Sequence, residues 1–137
     1  MSVQTQTTSF KAECWQAVHN LLTDTLKIAL YTGNAVLDQS TTAYTTTNEV
    51  TGAGYTAGGA TLTGVTLNTD GFTVYVDFDD PTWAGSLTAR YALIYNASKA
   101  NRSVAVLDFG ADKTSVVAFT ITLPVNSPTS ALLRSSN

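Results

Sequence analysis

Residues 87–110 read LTARYALIYNASKANRSVAVLDFG, and the fold is decided there. The stretch divides into two strands joined by a polar turn. In the first, Ala89, Tyr91, Leu93 and Tyr95 share one face, while Thr88, Arg90, Ala92 and Ile94 share the other. In the second, Val104 and Val106 alternate with Ala105, Leu107 and Phe109, so apolar groups stand on both faces. A strand apolar on both faces belongs inside a sheet with cover on each side. The connector from Asn96 to Arg102 is polar and rich in turn formers, as a hairpin loop should be. The expectation is a central antiparallel hairpin of strands 89–95 and 103–109, with Leu93 and Val106 nearly fully buried.

On the C-terminal side, Val117, Phe119, Ile121 and Leu123 alternate as a further strand that Pro124 stops. A short last strand, Ala131 to Arg134, closes an edge. On the N-terminal side, Phe72, Val74, Val76 and Phe78 alternate with Thr73, Tyr75, Asp77 and Asp79, and Asp80-Pro81 breaks the run. Asn68-Thr69-Asp70-Gly71 reads as a hairpin turn with glycine where φ must be positive. Leu62, Val65 and Leu67 change phase at Gly64, which predicts a bulge. Phe78 and Phe119 join Leu93 and Val106 as expected core.

Before that lies an aperiodic segment, Gly33 to Gly59, with clustered threonines, five glycines and the apolar residues Val36, Leu37, Tyr44, Val50 and Tyr55. A loop this long in a compact domain is usually functional. Leu26, Ile28 and Leu30 form a strand facing in, with Lys27 and Tyr31 facing out. Cys14, Trp15, Val18, Leu21 and Leu22 fall at helical spacing, predicting a helix over about 10–22 with Ser9 as N-cap. Residues 1–8 read as a flexible arm, and 9–137 as one domain. The fold class is all-β: a β-sandwich of about seven strands, jelly-roll or immunoglobulin-like, with one N-terminal α-helix.

Composition narrows the function classes. Charged residues are 12% of the 137, against about a quarter in an average soluble chain, and the net charge is −3. Nothing here neutralises phosphates, so no nucleic-acid partner is expected. The start, MSVQTQTTSF, has no basic patch or apolar run, and no stretch approaches the ~20 apolar residues of a membrane span. The expectation is a protein that is cytosolic when made, with no membrane partner. A single cysteine, Cys14, makes neither a disulfide framework nor a cysteine zinc cage.

Few residues suggest chemistry. His19 has no carboxylate or cysteine at metal spacing and reads as a surface or capping histidine. Cys14, on the apolar stripe, reads as buried and inert. Asp77 and Asp79 share a strand face about 7 Å apart, a separation that could hold Ca²⁺, but no loop adds further oxygens. They read as a solvated strand end, with Asp80 opening the turn at Pro81. Asp108-Phe109-Gly110 spells a kinase motif without its partners. Gly52, Gly54 and Ala57 match G-x-G-x-x-A but open no helix. Asn96-Ala97-Ser98 and Asn101-Arg102-Ser103 are formal glycosylation sequons at turns. Neither metal nor cofactor is expected, and an enzyme is the least favoured class.

Four segments carry a resemblance: LKIALYT (26–32), AYTTTNEVTGAGYTAGG (43–59), DFDDPTW (77–83) and ALIYNASKANRSVAVLDFG (92–110). Together they resemble a family of short virion structural proteins of tailed bacteriophages, over roughly residues 25–115. The resemblance implies a virion component, and as its place the capsid surface. There it would act as a decoration (cement) protein tying neighbouring capsid subunits together. The implied partners are the major capsid protein and further copies of the chain, as a trimer. The family brings no catalytic motif to carry over. Tyr44, Val50 and Tyr55 in the long loop, with Trp83, are the expected partner contacts, together with the arm. Two alternatives are a neck, tail or fibre-associated protein, and a carbohydrate-binding domain in which Trp83, Tyr31 and Tyr75 stack on sugars.

Overall fold

The computed structural model describes residues 3–136. In chain order the elements are β1 (Val3–Gln6), α1 (Thr8–Trp15), β2 (Leu26–Tyr31), β3 (Ala60–Thr61), β4 (Thr66–Asp70) and β5 (Thr73–Asp77). Then follow β6 (Thr82–Ala84), β7 (Thr88–Asn96), β8 (Arg102–Thr114), β9 (Ala118–Thr120) and β10 (Leu133–Ser135). The fold is all-β with one helix. Ten strands stand where about seven were expected; the surplus comes from the arm and from pieces only two or three residues long.

The two-faced hairpin occupies the middle of a five-stranded sheet ordered β1-β8-β7-β2-β3. Both of its strands are flanked on each side, as their apolar faces require. A three-stranded sheet, β10-β5-β4, and a two-stranded one, β6-β9, make up the rest. Ile28, Leu30, Ala92, Ile94 and Leu107 from the large sheet meet Val76, Phe78, Trp83, Phe119 and Leu133 from the small ones in the main core. That layering is the sandwich. Leu93, Val106, Phe78 and Phe119 are all buried.

Register along β7–β8 shifts twice, and both shifts correct the expected faces. Pairing steps from Ile94↔Ala105 to Tyr95↔Ser103, which leaves Val104 extra and turns it into the main core beside Ala105. It also steps from Tyr91↔Asp108 to Ala89↔Lys113, which moves Ala89 to the face of Ala92 and away from Tyr91. An inserted residue flips everything beyond it, and strict alternation cannot anticipate that.

The reverse face of the large sheet is a second core of Ala29, Tyr31, Leu93, Tyr95 and Val106. Its cover is the long loop, through Ala35, Leu37 and Tyr44. Tyr31, expected to face out, is therefore buried. The loop also seals the free edge of β2. Thr32 N–H donates to Asn48 O at 2.9 Å, and Val50 N–H donates to Leu30 O at 2.9 Å. Gly59 makes the return possible, with φ 79° and a position where a Cβ would lie 1.9 Å from the Ile28 carbonyl oxygen.

The N-terminus also departs from expectation. Residues 3–6 are an ordered edge strand, paired antiparallel to β8 from Val3↔Asp108 to Gln6↔Ala105, and not a free arm. Residues 1 and 2 of the expected arm lie outside the described residues. The cap of α1 is Thr7, whose hydroxyl accepts from Phe10 N–H at 3.3 Å, and not Ser9. The helix ends at Trp15, with Ala17 at φ 58°, far short of residue 22. Of the helix's apolar groups only Phe10 is buried. The β4–β5 turn is Gly71-Phe72, two residues later than the tetrapeptide expected, with Gly71 at φ 60°.

Phe119 packs edge-on to Trp83 at 6.3 Å and against Phe109 at 6.3 Å. Truncating it opens a cavity that three sheets cannot close. Phe119→Ala should cost about 3–5 kcal/mol in urea denaturation; a loss below about 1 kcal/mol would contradict its place in the core.

Candidate functional site

The long loop is held by one carboxylate. Glu49 Oε1 accepts from the Tyr44 hydroxyl at 2.6 Å, and Oε2 accepts from the Tyr55 hydroxyl at 2.6 Å and from Gly58 N–H at 2.8 Å. The Tyr55 oxygen in turn accepts from Leu30 N–H at 2.9 Å, standing in for a strand neighbour of β2. Tyr31 donates to Thr45 O at 2.6 Å and Tyr95 to Gly58 O at 2.6 Å, while Tyr44 stacks on Tyr95 with centroids 4.7 Å apart. Burial pushes the Tyr31, Tyr44 and Tyr55 phenols well above the ordinary tyrosine range, and the Glu49 charge adds to it. This is a polar latch. Its hydroxyls are spoken for by protein atoms.

A second cluster surrounds His19. Its side chain is fully buried, which corrects the expectation of a surface histidine. Nε2 lies 2.9 Å from Glu13 Oε1, and Nδ1 lies 2.9 Å from Asn96 Nδ2. The Asn96 amide is oriented by donation to Asp24 Oδ2 at 2.8 Å and by acceptance from Ser98 N–H at 3.0 Å. Its NH₂ therefore faces the ring, so Nδ1 accepts and Nε2 carries the proton that Glu13 receives. Lys99 stands 3.1 Å from Asp24 and Arg102 stands 3.6 Å from Glu13. The cluster clasps the segment after α1 to the β7–β8 turn. Among the described residues the ring's hydrogen-bond partners are Glu13 and Asn96, neither of them a nucleophile.

The other candidates scatter. Cys14, expected buried, is exposed. Asp80 accepts from Leu123 N–H at 2.9 Å, and Asp79 packs beneath Gly64. Asp77 keeps one buried oxygen with no partner, and desolvation pushes its carboxyl up, helped by Asp80 and Asp79. Among the described residues no group of ligating side chains could hold a metal ion, and no helix is long and apolar enough to cross a membrane.

The four expected partner contacts face inwards. Val50 and Trp83 belong to the main core, and Tyr44 and Tyr55 are half-buried on Glu49. The loop's aromatic groups pack on the sheet beneath it. Apart from Val36, the free apolar surface lies outside the loop. Trp15 and Phe72 are each 93% exposed, and Val116 and Val117 project from the β8–β9 loop. A groove of about 490 Å³ runs between α1 and the β4–β5 hairpin, floored by Phe10, Leu67, Val74, Val76 and Leu133. The exposed Trp15, Leu67 and Val74 meet at this groove, and exposed apolar groups gathered in one patch mark interaction surfaces. Alternation puts Phe72 and Val74 on the same apolar face as the buried Val76 and Phe78 and carries no sign that their end of the hairpin lacks cover. No family model, curated protein or solved structure matches this chain.

Two titration experiments follow from the buried groups. Because the folded phenols are raised, their stabilisation is whole below the unfolded value of about 10 and is lost as pH climbs through the folded values. Stability should fall above about pH 10 in wild type and fall less in a Tyr44→Phe/Tyr55→Phe variant, read by urea melts across that range. Equal slopes would mean the latch phenols do not govern the alkaline limit. For Asp77 the raised carboxyl penalises the ionised form, so the penalty grows as pH rises through its folded value. Asp77→Asn should raise the urea midpoint at neutral pH, with the gap closing below about pH 4. A variant weaker than wild type at pH 7 would show that the buried oxygen has a partner.

Proposed function

We propose that this chain is a structural protein of a tailed-bacteriophage virion: a capsid decoration protein that binds the outer shell beside the major capsid protein, as a homotrimer. The observation that carries the reading is where the four resembling segments fall. Residues 26–32 contain β2, 43–59 are the Glu49 loop that covers it, 77–83 join β5 to β6, and 92–110 are the central hairpin. The shared wording therefore coincides with one scaffold: the two-faced sheet, its latch and the junction to the smaller sheets. A resemblance spread through a single packing unit supports common architecture more strongly than one scattered over the surface.

The outward apolar groups sit apart from those segments. Trp15, Phe72, Val116 and Val117 all lie outside the four stretches. A scaffold of constant design with its own contact residues suits a small protein that gains stability by binding a larger assembly. The sparse charge and threonine-rich surface suit a copy-rich coat. The carbohydrate-binding alternative loses two of its three stacking aromatics, because Trp83 and Tyr31 are buried and only Tyr75 stays partly exposed.

Quantitative mass spectrometry of purified virions, with the major capsid protein as internal standard, tests the proposal. Decoration requires copy numbers on the order of hundreds, in fixed ratio to the icosahedral shell. A copy number on the order of ten would move the chain to the neck or tail, and absence from the particle would end the virion reading altogether.

A further inference from the structure

We propose that the groove between α1 and the β4–β5 hairpin receives the hairpin tip of a second copy of this chain, with Phe72 inserted and Asp70 paired to Lys11 and Arg134. The contact deepens the self-association in that reading and is independent of the chain's place in a virion. The groove comes first. Its lining is apolar along the floor, its walls carry Lys11 and Arg134, and it contains no carboxylate. Lys11 has no acidic partner among the described residues, in a chain whose net charge is −3. Such a groove favours an apolar insert flanked by negative charge.

The chain itself presents that insert. Phe72 is the second residue of a two-residue turn and is 93% exposed. Nothing lies within 4 Å of the place a Cβ on Gly71 would take, so the tip stands clear of the body. Asp70, exposed and without a cation partner among the described residues, sits at the mouth of the same turn. A rival insert, Val36 beside Asp38, is weaker on both counts. Its side chain is aliphatic, and its carboxylate is already engaged by the Ser40 N–H at 2.8 Å and the Ser40 hydroxyl at 2.5 Å.

Tip and groove are different patches, so each copy offers one of each. Head-to-tail contacts of that kind close into a ring when the rotation permits. Trp15, on the groove wall, is covered by the incoming tip and loses its 93% exposure in the same event.

The test is sedimentation of the full-length chain over a concentration series, with circular dichroism confirming that each variant is folded. Wild type should associate reversibly. Phe72→Asp should weaken association at least about 30-fold, the loss expected of an aromatic hot spot. Lys11→Glu combined with Arg134→Glu should weaken it as well, and adding Asp70→Lys should restore it by reversing both pairs. The contact is overturned by a wild-type chain that stays monomeric throughout, by an oligomer indifferent to Phe72→Asp, or by a charge swap that restores nothing. These outcomes are separate from the virion test: a chain absent from particles can still pass this one, and a decoration protein can fail it.

Discussion

A sheet whose central strands are apolar on both faces cannot be satisfied by one layer of cover. β7 and β8 impose that demand, and the rest of the chain is arranged to meet it. On the front, two small sheets bring Phe78, Trp83 and Phe119 down onto Ala92, Ile94 and Leu107. On the back no secondary structure is left to supply, so residues 33–59 are laid across Leu93, Tyr95 and Val106 as irregular chain. Irregular chain brings backbone polar groups with it, and these need partners wherever they are buried.

Glu49 answers that need. A carboxylate drawn into a half-buried place is costly unless its lone pairs are filled. Here two phenols and a backbone N–H fill them, and each phenol belongs to a residue that also packs. Tyr55 does double service, since its oxygen completes the edge of β2 at Leu30. The apolar and polar requirements of the back layer are thus met by the same side chains. The His19 clasp works on the same economy, with Asn96 fixed by Asp24 and Ser98 so that it can donate to the ring.

Much of the fold was legible in the sequence because period-2 alternation reports burial directly. The β7–β8 hairpin, the buried Phe78 and Phe119, and the all-β class followed from it, while the one helix followed from the helical spacing around Cys14 and Trp15. The failures share a cause: each depends on a contact between residues far apart in sequence. Val104 and Ala89 changed face at bulges that only the partner strand defines. The helix stopped at Trp15 while His19 is drawn between Glu13 and Asn96, the latter 77 residues away. The loop's tyrosines looked free because Glu49 was not given weight, although it is the one charged residue between Asp38 and Asp70. A lone charge amid aromatics and threonines was the available signal. The exposed tip at Phe72 stayed hidden for the opposite reason, since alternation shows which face is apolar and not whether anything covers it.

The pairing of β1 with β8 has a consequence for how the protein comes into being. Val3 to Gln6 leave the ribosome about a hundred residues ahead of their partners, Ala105 to Asp108. Through most of synthesis the first strand of the sheet has nothing to hydrogen-bond to. The β7–β8 hairpin, joined by a short turn, can zip locally and then serve as the template for both β2 and β1. The birth order of the chain is therefore nearly the reverse of its assembly order at this edge. β1 waits for the central hairpin, and this edge of the sheet is finished by a segment made long before its partner.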